Sequence, residues 1–213
     1  MTRLPAESDD APALATFNSR LQIAWRDSYE LKTAAEGAWD RICALNEYSY
    51  HGPALFQQTS GERQLFIAWT GTNDTASLNT KRSFDGCTFD EDTKSTLWSE
   101  YSEYGPALAS AGDSLYMAWV GGDPQHQLNI ISTDRFGNWL PATKCILGES
   151  AAATPALAID DRQSTLLMAW IDQYRHIRVG SLRTQAGVGT LSRAGLRQET
   201  RFPVRRQRMG RAW

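Results

Sequence analysis

The chain has 213 residues, a formal net charge of −2 and near-average apolar and charged fractions, the profile of a globular protein able to bury a real core. It lacks the basic excess that nucleic acid or anionic lipid attracts and any apolar run long enough to span a membrane, so neither is expected as a partner. The first ten residues, Met1 to Asp10, also lack the charged-then-apolar layout of a secretion signal; as written the chain is expected in the cytoplasm, and secreted only if its N-terminus is incomplete.

In chain order, Leu4-Pro5-Ala6-Glu7-Ser8 comes first and matches a closing signature that recurs later, at Leu45 to Ser49, Trp98 to Ser102 and Leu147 to Ser150. A Pro-Ala-Leu element follows at Pro12-Ala13-Leu14 and returns at Pro53-Ala54-Leu55, Pro106-Ala107-Leu108 and Pro155-Ala156-Leu157. Downstream of each lies an Ala-Trp pair, at Trp25, Trp69, Trp119 and Trp170. A third apolar start at Leu31, Leu78, Leu128 and Ile177 runs into a turn with Gly37, Gly86, Gly137 or Gly187.

Each unit of roughly fifty residues therefore holds four short alternating segments separated by Gly, Asp, Asn and Ser turns, which reads as four antiparallel strands. The second strand is apolar on both faces, as in Leu115-Tyr116-Met117-Ala118-Trp119, so it is expected to be covered on both sides. The proline opening each first strand fits, because a strand's first residue can lack a donor without losing a ladder bond. The expected fold is all-β, a β-propeller of four-stranded antiparallel blades with four full repeats and a partial fifth. Domain boundaries follow: a repeat domain over 1–192, with units at about 11–51, 52–104, 105–153 and 154–197, then a basic tail or degenerate partial fifth repeat over 193–213. That tail holds seven arginines against Glu199 as its one acid, and ends on Ala212-Trp213.

Two copies carry a turn, Ser83-Phe84-Asp85-Gly86-Cys87-Thr88-Phe89 and Ser132-Thr133-Asp134-Arg135-Phe136-Gly137-Asn138-Trp139, that resembles the Asp box of sialidase-type (BNR) propeller repeats. The resemblance covers about residues 4–191. It implies that Asp85, Gly86, Asp134 and Gly137 are structural turn residues away from any catalytic centre. Sialidase chemistry in that family uses an arginine triad, a Tyr–Glu nucleophile pair and an acid/base Asp. Arg3-Leu4-Pro5 is the nearest approach to its Arg-Ile-Pro motif and falls where a closing strand belongs, so no catalytic role is carried over.

Candidate ligand residues come from the loops. Asp27, Asp74, Asp123 and Asp172 each follow an Ala-Trp strand, and four such loops on one face would form a ring of carboxylates; Asp also favours turns by bonding its own backbone. His126 and His176 follow their tryptophans at similar distances, and Asn79 and Asn129 follow Leu78 and Leu128. The repeated glutamates Glu47, Glu100 and Glu149 read as loop caps between blades. The four Ala-Trp tryptophans read as core, because their strands are apolar throughout.

The three cysteines are odd in number and far apart, so free thiols are expected, with no metal site and no cofactor. No phosphate loop, nucleophile elbow or zinc-protease helix is present. The reading is a non-catalytic, lectin-like binding protein with glycans as ligand. The alternatives are a degenerate or truncated sialidase-like glycosidase, or an interaction scaffold or propeller fragment, which would form a homo-oligomer if the ring does not close.

Overall fold

A computed structural model of the chain describes residues 4–58, 63–160 and 165–183; the tail over 193–213 lies outside them. The described chain is all-β and forms four meandering antiparallel sheets in sequence order, the blades expected from the repeat. The first blade is β1 (Ala13–Phe17), β2 (Arg20–Asp27), β3 (Glu30–Ala35) and β4 (Ala38–Tyr48). The second is β5 (Ala54–Gln58), β6 (Gln64–Thr70), β7 (Ser77–Ser83) and β8 (Ser95–Tyr101). The third is β9 (Ala107–Ala111), β10 (Ser114–Val120), β11 (Gln127–Ser132) and β12 (Cys145–Ser150). The fourth has three described strands, β13 (Ala156–Asp160), β14 (Thr165–Ile171) and β15 (Ile177–Arg183).

Strand alternation explains how the blades stack, since successive side chains leave opposite faces of a sheet. On β6, Leu65, Ile67 and Trp69 join a core with Phe17, Ala24, Leu31 and Leu45 of the first blade. The intervening Phe66 and Ala68 join Leu115, Met117 and Trp119 of the third. Tyr116, Ala118 and Val120 then meet Leu166, Met168 and Trp170 of the fourth. The second strands of the second and third blades thus turn a Leu-x-Ile/Met-x-Trp row toward the preceding blade and a second row toward the following one. Covering one such side chain stabilises by about 1.5–3 kcal/mol.

The first strands run innermost, and their approaches crowd. A Cβ at Gly52 would sit 2.4 Å from the carbonyl oxygen of Ala11, and one at Gly105 would sit 2.6 Å from that of Gly52. Only glycine permits these backbone contacts. Ser49 and Ser102 fasten each closing strand to the next blade: the Ser49 hydroxyl lies 2.9 Å from the Thr70 carbonyl and 2.7 Å from that of His51, and Ser102 repeats this on Val120 and Tyr104.

The aspartate turns between third and fourth strands are closed from within. Asp85 Oδ1 accepts from the amides of Cys87 (2.8 Å) and Thr88 (2.7 Å), while Gly86 takes a left-handed φ of 84°. Asp134 accepts from the amides of Phe136 (2.8 Å) and Asn138 (2.9 Å), with Gly137 also at φ 84°. Each turn rests on the blade before it: the Gly86 carbonyl accepts from Thr33 Oγ1 at 3.4 Å, the Phe136 carbonyl from Arg82 Nη1 at 3.0 Å, and the Trp139 indole N–H donates to Thr80 Oγ1 at 3.0 Å.

One sequence expectation is corrected. Cys43 on β4 and Cys87 in the second blade's aspartate turn form a disulfide, their Cα atoms 5.5 Å apart, and only Cys145 is a free thiol. Distance along the chain hid the pair, because stacking places a fourth strand beside the following blade's turn.

Candidate functional site

The site is built at the seams between blades. In the second and third blades the link from third to fourth strand includes a single 3-10 turn, Glu91–Thr93 and Pro141–Thr143. A threonine pins each turn to the third strand: Thr93 Oγ1 accepts from the Arg82 amide at 3.1 Å, and Thr143 Oγ1 from the Ser132 amide at 2.9 Å. The next residue, Lys94 or Lys144, is thereby aimed across the seam at the closing glutamate of the preceding blade.

At the first seam, Lys94 Nζ lies 2.7 Å from Glu47 Oε1 and 5.9 Å from the centre of the Trp69 ring. Asn79 pairs with Trp69 across the ladder and so shares its face. Its carbonyl accepts from Thr96 Oγ1 at 2.7 Å and its amide donates to the Ser77 carbonyl at 2.9 Å. These groups, with Tyr48 and Trp98, line a cleft of about 230 Å³. Trp69 forms its floor at 1% exposure, whereas Trp98 stands at its rim at 77%. Two residues along β7 from Asn79, Lys81, fully buried, lies 2.9 Å from Glu47 Oε1 and also pairs with Glu91. Burial pulls the Lys81 pKa down, but the bonds to Glu91 and Glu47 outweigh it and raise it above the ordinary lysine value.

The second seam repeats the arrangement. Lys144 Nζ lies 2.5 Å from Glu100 Oε2 and 5.8 Å from the centre of the Trp119 ring, while Asn129 donates to the Gln127 carbonyl at 2.8 Å. Tyr101 is exposed beside it. The buried lysine is replaced by Ile131, part of the apolar core between these blades.

The loop residues singled out from sequence fall into several environments. Asp27, the last residue of β2, and Asp172, just past β14, each lie two residues beyond their tryptophans, where the middle blades carry Gly71 and Gly121. Each binds a third-strand cation: Asp27 with Lys32 Nζ at 2.7 Å, Asp172 with Arg178 Nε at 2.9 Å. Asp172 feels burial first, yet the amides of His176 and Tyr174 and the Arg178 guanidinium lower its pKa to about 2. Asp123 closes its own turn, accepting from the Gln125 amide at 2.9 Å, at the place held in the second blade by Asn73 rather than Asp74. The four aspartates therefore do not share one position around the ring.

Asp74, Asp123 and His126 do meet, in an open hollow of about 460 Å³ between the second and third blades, where His126 contacts Glu103. His176 is out of step with His126, whose left-handed backbone is matched by Arg175 (φ 49° and 64°). Asn79 and Asn129 are true equivalents and sit in the seams. The residues missed were Lys94 and Lys144. Their signal was a Thr-Lys pair separated by the same interval as Trp69 and Trp119.

No protein family and no curated protein matches this sequence. Solved structures do resemble the fold. An α-L-arabinofuranosidase, CtGH43 from Clostridium thermocellum, has a TM-score of 0.56 at 9% identity, covering 85% of this chain and 70% of its own. The β-fructofuranosidase BmSUC1 of Bombyx mori gives 0.53 at 14% identity over 91% of this chain and 49% of its own. A triple arginine-to-alanine mutant of AofleA from Arthrobotrys oligospora gives 0.57 at 8% identity over 88% and 56%. The chain thus spans about half to seven tenths of these proteins, and at such identities what it shares with them is the β-propeller fold.

Proposed function

We propose that the chain is a non-catalytic glycan-binding propeller whose ligands seat in the clefts between consecutive blades. The observation that carries this reading is the recurrence, at two seams, of a carboxylate, an ammonium group and an amide around a tryptophan. Such a set supplies acceptors and donors for neighbouring sugar hydroxyls, and the exposed Trp98 offers a flat apolar surface for a sugar ring. Each glutamate is held by lysine, which suits hydrogen bonding better than nucleophilic or acid catalysis. The similarity to glycoside hydrolases supports a sugar as the ligand class. A glycan array probed with the full chain tests this: binders are expected, and their loss in a Lys94→Ala, Lys144→Ala double variant ties them to the clefts. An array without binders at high protein concentration removes the proposal.

A second reading, a degenerate glycosidase of the sialidase-like kind, draws on the aspartate turns and on the segments that lead into the first strands of the first three blades. There the pKa of His51 is lowered by burial, against the opposing pull of the carboxylates of Asp10 and Glu103. Asp10 Oδ2 also accepts from the Gly52 amide at 2.8 Å. Turnover of a fluorogenic sialoside or aryl arabinofuranoside, abolished in Asp10→Asn or Glu103→Gln, would establish it; absence of turnover removes it.

A further inference from the structure

Three described seams join the same pair of surfaces: the Leu-x-Ile/Met-x-Trp row of one blade and the intervening row of the blade before it. Among the described residues, one surface of each kind is left without a facing blade. The fourth blade's rear surface carries Leu167, Ala169 and Ile171 on β14 with Ile177 and Val179 paired beside them on β15. This row is uncharged, and its members are exposed at 37% for Leu167, 40% for Ile171, 78% for Ile177 and 45% for Val179. The first blade's front surface carries Leu14, 60% exposed, paired with Ile23, next to the exposed Leu21, while Trp25 of the same row is already buried within the chain. The equivalent residues at the internal seams, Leu55, Leu65 and Ile67 or Leu108, Leu115 and Met117, are buried.

We propose that the fourth blade's rear surface is an interface for a second copy of this chain, docking head to tail on that copy's first-blade front surface. The occupant follows from the internal seams, because what covers Phe66 and Ala68 or Tyr116, Ala118 and Val120 is always a front row of the Leu21-Ile23-Trp25 kind. Several exposed large apolar side chains gathered in one row mark a surface that binds another surface. Two different surfaces in contact make a heterologous joint, which closes into a ring or extends, according to the rotation per copy.

The test is the solution mass of the full chain over a range of concentrations, read by light scattering. An integral multiple of 23.8 kDa greater than one is expected. Ile177→Glu and Leu14→Glu, each on one surface, should each give a monomer. Mixed together they retain one intact joint and should stop at a dimer. Circular dichroism of the variants guards against misfolding, and for any variant that fails to fold, Val179→Lys and Leu21→Lys replace the pair. A wild-type chain that stays monomeric overturns the proposal, including the case in which its own residues 184–213 cover the row. Association of Leu14→Glu alone, indistinguishable from wild type, also overturns it, because the joint would then not be head to tail.

Discussion

The middle blades and the end blades use one scaffold differently. In the second and third, the third-strand residue beside the tryptophan is Asn79 or Asn129, and the cation arrives from the residue between the 3-10 turn and the fourth strand, reaching across the seam to Glu47 or Glu100. In the first and fourth, that third-strand residue is itself a cation, Lys32 or Arg178, and it turns to a loop aspartate of its own blade. The first blade also lacks the 3-10 turn: β3 and β4 join through a tight hairpin at Gly37 (φ 82°), and no lysine is aimed at the seam. A cleft therefore needs the longer link between third and fourth strands, and a cation spent within its own blade cannot serve a ligand between blades.

Substitution at matched positions puts this comparison under load. Leu108→Ala, at a covered seam, should cost about 2–5 kcal/mol in urea unfolding. Leu14→Ala at the equivalent end position should be nearly neutral in dilute protein, and costly only where chains associate; equal losses in dilute protein would contradict the description of the end surface. Glu47→Ala leaves the buried Lys81 with Glu91 as its remaining partner and should cost about 3 kcal/mol. Glu100→Ala, which frees a lysine 29% exposed at its side chain, should cost below about 1 kcal/mol.

The Cys43–Cys87 staple should contribute about 2–3 kcal/mol, read as a fall in Tm on reduction that the Cys43→Ser variant no longer shows. A reduction-insensitive wild type would mean that the bond does not form.

The smallest effect concerns acid. Asp85 is pushed up by burial but held by the amides of Thr88 and Cys87 and the hydroxyls of Thr88 and Ser83, leaving its pKa at about 2 against an ordinary 3.8. The folded state then binds fewer protons than the unfolded one, so the contribution is complete above the ordinary value and is lost as pH falls from there to about 2. Asp85→Asn should flatten Tm against pH across that window while lowering Tm at neutral pH.

The blades were legible because their signals are local: the Pro-Ala-Leu starts, the doubly apolar Ala-Trp strands and the glycines of the aspartate turns each act within a few residues. The seams were not. Glu47 with Lys94, Cys43 with Cys87, and Trp139 with Thr80 join residues of successive blades, and no spacing within one repeat reveals them. The loop aspartates misled for a related reason. Asp27, Asp123 and Asp172 each stabilise their own turns or neutralise a neighbouring strand, the ordinary use of Asp in loops, and similar counts from the tryptophans concealed different turn positions.

The most direct test of the cleft account is a tryptophan-fluorescence titration of the full chain with a panel of free monosaccharides, repeated on Lys94→Ala and Lys144→Ala. The account predicts a saturable change for at least one sugar, weakened about tenfold or more by each substitution at its own seam, the loss of a charged hydrogen bond worth roughly 1.5–3 kcal/mol. A saturable response that both variants retain unchanged would place the sugar elsewhere on the propeller and contradict the account.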